Sequence, residues 1–139
     1  MLRHGRYEID DNPARIDLAA VWQFLSAEAY WARWRSRADV RAQVEGAWRV
    51  VGCYDRHQMV GFARALSDGV ALAYLADVYV LVEHRGTGLG VALIQEMIDN
   101  GPGRDFRWML HTDDAHELYR RFGFTQPDST LMERAPKTS

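Results

Sequence analysis

A chain of 139 residues, 47% hydrophobic and 26% charged, can fill one core and is too short for two, so residues 1–139 are expected to form a single domain. Its net charge of −2 offers no basic face for nucleic acid, and no apolar run is long enough to span a membrane. The N-terminus MLRHGRYEIDD lacks the apolar centre of a signal peptide and Cys53 is the only cysteine, which excludes an intramolecular disulfide; a cytoplasmic protein is the expectation.

In chain order, Tyr7 to Asp11 predicts a first strand, ended by Asn12-Pro13. Asp17 can cap a helix running to about Ala32, with Leu18, Val21, Trp22, Leu25 and Ala29 at helical spacing. A second helix is expected from Arg37 or Ala38 to Glu45, closed by Gly46. The arginines at 33, 35, 37 and 41 then read as a solvated face, or as a contact for phosphate. Trp48–Tyr54 and Gln58–Leu66 form a predicted hairpin about Asp55-Arg56-His57, with Cys53 as a small buried strand residue. A central strand over Leu72–Val82 follows, then a glycine-rich turn and a helix to Asn100. Phe106–Thr112 is strand-like and Ala115–Phe122 helical. Phe124 onward is expected to add a hairpin before a frayed tail from Ala135. This order is an α/β layout with helices flanking a mixed sheet.

The glycines of Arg85-Gly86-Thr87-Gly88-Leu89-Gly90 stand where the central strand gives way to a helix with apolar Leu93, Ile94, Met97 and Ile98. Glycine permits positive φ and close backbone approach, while the first N–H groups of a helix favour an anion. An ordinary tight β-α turn has the same look. The phosphate loop of nucleotide hydrolases is excluded because it needs Gly-Lys-Ser/Thr and the only lysine is Lys137. A dinucleotide loop needs its third glycine three residues after the second, whereas Gly90 follows Gly88 by two.

The segment resembles the acyl-coenzyme A loop of the GCN5-related N-acetyltransferases, written Arg/Gln, any residue, Gly, any residue, Gly/Ala; the match begins one residue early at Arg85 and continues through Gly88 and Gly90. A second segment agrees in order and spacing. Ala115-His116-Glu117-Leu118-Tyr119-Arg120-Arg121-Phe122-Gly123-Phe124 is similar to that family's late helix, with Leu-Tyr, three residues, then Gly-Phe. The resemblance covers the C-terminal half by motif and the N-terminal half by its pattern of elements. It implies a mixed, mostly antiparallel sheet flanked by helices, with central strands that splay apart.

It also implies acetyl-coenzyme A as co-substrate, a small-molecule or peptide amine as acceptor, direct attack without an acyl-enzyme, no metal, and a homodimer as one assembly. Backbone groups over Val80, Leu81 and Val82, beside a bulge placed there, would hold the pantetheine arm as an added strand, with an N–H near Val80 facing the reacting carbonyl. N–H groups of Arg85, Gly86, Thr87, Gly88, Leu89, Gly90 and Val91 would surround the pyrophosphate, helped by the Thr87 hydroxyl. Thr112 stands where the family often has a coenzyme-binding asparagine, and Val82 where it often has proline.

Tyr119 occupies the position of the family's general acid, although a core-packing tyrosine is the alternative. A phenol near pKa 10 protonating a thiolate near 8.5 runs uphill by about 2 kcal/mol. The amine needs a base, since at pH 7 an alkylamine is almost wholly protonated. Asp77 and Tyr79 share a strand face by two-residue alternation. Asp77 suits a base or amine anchor, or a structural hydrogen-bonding role; Glu28, His84 and His111 are weaker base candidates. Tyr30, Trp31 and Trp34 with Tyr79 fit an acceptor-site wall, or plain core packing. A non-catalytic acyl-coenzyme A sensor would keep the loop without turnover. Histidine spacing fits no metal motif and no Gly-x-Ser-x-Gly elbow is present.

Overall fold

A computed structural model describes residues 1–28 and 35–137. Strand alternation builds one six-stranded sheet whose spatial order follows the chain, β1 to β6. Strands β1 (Leu2–His4) and β2 (Tyr7–Asp10) form a hairpin about Gly5-Arg6. The alternation from Tyr7 predicts only the second of them. The missed signal is Gly5, whose φ of 59° suits the first position of a two-residue turn.

Helix α1 (Leu18–Ala27) starts where Asp17 accepts from the Ala20 N–H and ends at Ala27, capped by Glu28; the rest of the predicted helix lies outside the described residues. Helix α2 (Arg37–Glu45) opens with a capping box in which Ser36 and Asp39 each satisfy the other's backbone N–H. Strands β3 (Arg49–Asp55) and β4 (Gln58–Ser67) close through Arg56-His57, with Arg56 at φ 59°.

Strand β5 (Leu72–Val80) is antiparallel to β4 and ends two residues before the predicted Val82, which instead enters a 3-10 turn over Val82–His84. Helix α3 (Leu89–Met97) then crosses over to β6 (Arg107–Met109), the one parallel neighbour. Only three residue pairs join β5 to β6, from Leu72–Arg107 to Tyr74–Met109. Beyond Met109 the chain departs from β5, so the longer strand predicted to Thr112 does not form and the edge of β5 is left open.

Helix α4 (His116–Arg120) ends through Gly123 at φ 85°. The hairpin predicted from Phe124 is absent. Pro127 removes a ladder N–H, and Asp128 accepts from the Thr130 N–H to form a local turn instead.

Apolar side chains cover both faces of the sheet. On one face Leu93, Ile94 and Met97 of α3 pack on Val51, Cys53, Ala63 and Leu75; on the other Val21, Phe24 and Leu25 of α1 and Val40 of α2 pack on Val50, Phe62 and Tyr79. Among the described residues no helix is long and apolar enough to cross a membrane.

Candidate active site

The glycine loop has the shape its sequence requires. Gly86 lies at φ 76° and Gly88 at φ 80°, and Gly88 is the N-cap of α3 with no side chain bonding the helix's first N–H groups. A Cβ on Gly86 would meet no atom within 4 Å, so the loop faces open space. Such a cradle of uncapped N–H groups fits a diphosphate.

Neighbours hold the loop in place. His4 donates from Nε2 to the Thr87 carbonyl at 2.9 Å, and the Tyr7 hydroxyl meets His84 Nδ1 at 2.9 Å, which ties His84 to the β1–β2 hairpin. The Thr87 hydroxyl donates to the His84 carbonyl at 2.8 Å, so its proton serves the loop itself.

The open edge of β5 differs from the expected window over Val80–Val82. Leu81 N–H already donates to Val60 O of β4 at 2.8 Å, and Val82 is an exposed turn residue. Because backbone groups alternate in direction along a strand, Val80 points its N–H and C=O away from β4. Arg85 Nε donates to that Val80 carbonyl at 2.9 Å. The bulge also lies earlier than expected, where two steps of β4 from Phe62 to Arg64 face three of β5 from Tyr79 to Ala76.

A cleft of about 390 Å³ opens between the middle of β5 and the segment after β6, lined by Arg64, Tyr74, Asp77, His111, Thr112 and Tyr119 among others. Thr112 Oγ1 accepts from the Ala115 N–H at 3.0 Å, positioning the start of α4. The Tyr119 ring is buried edge-on against Phe124, and burial, with the charge of Asp114, pushes its phenol up to about 12. A second hollow of about 920 Å³ lies between β6, α4 and the C-terminal tail, sharing Tyr74, His111, Thr112 and Tyr119 with the cleft.

Asp77 sits on the bulge at φ 56°, with its side chain only 5% exposed. Arg35 grips it in a fork, Nη1 to Oδ2 at 2.8 Å and Nη2 to Oδ1 at 2.7 Å, and Arg64 Nε donates to Oδ2 at 2.6 Å. Burial alone would raise the carboxyl's pKa; the hydrogen bonds and charges of Arg35 and Arg64 outweigh it and hold the group below the ordinary value. A carboxylate so held is a poor proton acceptor, and the geometry matches the structural alternative.

Tyr79 is also placed otherwise than its acceptor-wall role requires. Its ring stacks on Phe24 at 3.9 Å between centroids and 8° between planes, inside the core, and burial drives its phenol far above the usual range. Tyr30, Trp31 and Trp34 lie outside the described residues. Glu28 is exposed at the end of α1.

Sequence reasoning missed Arg35, Arg64, Tyr74 and Glu133. Arg64 was detectable as a lone charge within the apolar run Met59–Leu66, since a buried arginine needs a partner. Arg35 belongs to the cluster expected on a solvated face, yet it is 6% exposed. No signal marks Glu133, which reaches His111 from a tail without regular structure, at 2.8 Å to Nε2.

Known proteins carry the same architecture. The family model described as Acetyltransferase (GNAT) domain matches residues 46–126. A crystal structure of a candidate GNAT acetyltransferase from Xanthomonas campestris pv. campestris is 34% identical, with a TM-score of 0.88 over 94% of this chain and 93% of that one. A candidate acetyltransferase of Gibberella zeae is 29% identical across 86% of this chain and 79% of its own length. A Deinococcus radiodurans R1 structure, also a candidate acetyltransferase, shares the fold at 19% identity and a TM-score of 0.70, covering 96% and 92% of the two chains. With the family model spanning more than half of the sequence and a 34% identical relative aligned along nearly all of it, the chain belongs to the GNAT acetyltransferase family.

Proposed function

We propose that this protein transfers acetyl from acetyl-coenzyme A to a primary amine by direct attack. The observation that carries the reading is the conjunction of an uncapped glycine loop, an open β5 edge just before it and a buried tyrosine in the adjoining cleft. Loop N–H groups from Gly86 to Val91 hold the pyrophosphate, the expected Arg85 N–H being spent on the Val82 carbonyl at 3.3 Å, and the β5 edge at Val80 pairs with the pantetheine arm. The coenzyme supplies an acyl group activated as a thioester. Arg85 releases the Val80 carbonyl when that edge is used, and Val80 N–H faces the carbonyl oxygen on which negative charge builds.

Arg35 and Gln43 bring the α2 side of the sheet to the cleft and Tyr119 the opposite side, so the amine enters past α2 while the coenzyme lies along α3. Tyr119 donates to the departing sulfur. At about 12 its phenol stays protonated throughout the neutral range, so it is always a donor. Complete proton transfer to a thiolate near 8.5 would run uphill by about 5 kcal/mol, more than an ordinary phenol requires. The Tyr119 hydrogen bond therefore stabilises the sulfur as the C–S bond breaks rather than delivering its proton beforehand.

The test is thiol release from acetyl-coenzyme A with a panel of amines, compared with Tyr119→Phe. Turnover is expected to fall by roughly tenfold or more, with donor affinity kept. Equal turnover in both proteins removes Tyr119 from the chemistry. Coenzyme binding without thiol release from any amine would mark a sensor rather than an enzyme.

A further inference from the structure

Three side chains from distant parts of the chain form a hydrogen-bonded line at the cleft. Tyr74 of β5 meets His111 Nδ1 through its hydroxyl, and His111 Nε2 meets Glu133 at 3.0 Å to Oε1 and 2.8 Å to Oε2. A carboxylate only accepts, so His111 carries its proton on Nε2 and offers the Nδ1 lone pair to the Tyr74 hydroxyl. The tautomer is thus set by Glu133.

The line runs from the cleft to solvent. Tyr74 lines the cleft shared with Tyr119, whereas Glu133 lines the second hollow, and His111 is 62% exposed. Tyr74 stands on the same face of the sheet as Arg64 and Asp77, the face from which the amine enters. Asp77, gripped by two arginines, is a poor base, whereas this line offers the entering ammonium an acceptor with an exit to solvent.

We infer, resting on the acetyl-transfer reading above, that Tyr74, His111 and Glu133 form the proton relay that neutralises the acceptor amine. An ammonium N–H bond breaks as its proton passes to the Tyr74 oxygen. The former Tyr74 proton moves to His111 Nδ1, and the resulting imidazolium is stabilised by Glu133 until it gives a proton to water. The amine is left with its lone pair free to attack, and Tyr74 is regenerated. Burial and the charge of Glu133 keep Tyr74 a neutral phenol before the transfer. The charged groups around the relay are Glu133 and Asp128 on the tail, Arg64 and Asp77 on β4 and β5, Arg107 on β6, Arg35 ahead of α2, Asp99 and Arg104 after α3, Asp113 and Asp114 after β6, and His116 and Arg120 on α4.

The experiment measures kcat/KM from pH 6 to 10 for Tyr74→Phe, His111→Gln and Glu133→Gln, using alkylamines from the panel, beside acetyl-coenzyme A affinity. At pH 7 the Tyr74 and His111 variants should lose roughly tenfold or more, within the usual range for base catalysis, with Glu133→Gln following in the same direction. Donor affinity should stay within about twofold. The deficit should shrink as pH approaches the amine's own pKa near 10.4, because the substrate then arrives neutral. Wild-type turnover in the variants, a deficit of the same size at every pH, or a parallel loss of donor affinity each overturns the relay. A wild-type protein that releases no thiol with any amine overturns the enzyme reading, and the relay with it.

Discussion

Replacing Asp77 by asparagine removes one negative charge from between two guanidiniums while keeping the size of the side chain. Arg35 and Arg64 have side chains 3% and 9% exposed, so water cannot take over the lost role. Truncating one partner of a buried ion pair costs about 3–5 kcal/mol. Asparagine still offers one acceptor oxygen and tolerates the left-handed backbone at 77, which places Asp77→Asn near the lower bound, about 3 kcal/mol. Asp77→Ala loses every acceptor and adds about 1–2 kcal/mol of left-handed strain. Against a total stability of about 5–15 kcal/mol, the asparagine variant should melt roughly 10 °C below wild type. Urea unfolding followed by circular dichroism measures the free energies. Because the folded carboxyl has a lowered pKa, its contribution is complete above the unfolded value near 3.9 and is lost as pH falls through the folded one. The gap between the two proteins should therefore be constant from pH 7 to 5 and close in stronger acid. A difference below about 1 kcal/mol at pH 7 refutes the ion cage, and a stable Asp77→Asn protein with lost turnover would restore Asp77 as a base.

Gly86→Ala meets no steric obstacle but must hold φ at 76°, a strain of about 1–2 kcal/mol that moves the loop; acetyl-coenzyme A affinity by titration calorimetry should fall roughly tenfold, and unchanged affinity would separate this loop from the donor. Cys53 is fully buried and its thiol is pushed up to about 12, so the native protein should not react with an aromatic disulfide reagent until urea unfolds it; prompt reaction at pH 8 contradicts the packing. Residues 131–137 are all exposed, so ending the chain after Thr130 should change the unfolding free energy by less than about 1 kcal/mol while turnover drops as in Glu133→Gln; full turnover would exclude the tail from catalysis.

Features written in a few adjacent residues were legible. Asp17 caps α1, Gly46 closes α2, and Gly86 and Gly88 adopt the positive φ that only glycine takes at little cost. Tyr119 was placed by its spacing from Phe124 within one helix and turn. What escaped depends on partners far apart in the chain. Arg35 and Asp77 are 42 residues apart and His111 and Glu133 are 22 apart, and no local pattern announces such meetings. The missing terminal hairpin has a local cause, since Pro127 and Asp128 outweigh the apolar residues around them. The first hairpin was lost for the opposite reason. Three-residue β1 is too short to show alternation, and only Gly5 marks it.

The bulge at Asp77 links the cage to the donor site. Strict alternation from Leu75 would turn Asp77 toward α3 and both Val78 and Val80 away from it. With one extra residue, Val78 and Val80 pack with Leu75 in the α3 core while Tyr79 reaches the α1 core, and Asp77 turns to meet Arg64 on the opposite side. Asp77 and Tyr79 thus share a side, as two-residue alternation requires, and the bulge decides that it is the side of α1. The same extra residue fixes backbone direction, because N–H groups alternate with the side chains. Without it, Val80 N–H would turn toward β4 and Leu81 N–H toward the open edge. The two arginines that hold Asp77 in its strained conformation therefore also decide which backbone donor of β5 faces its open edge, the edge at which the proposed acetyl transfer would take place.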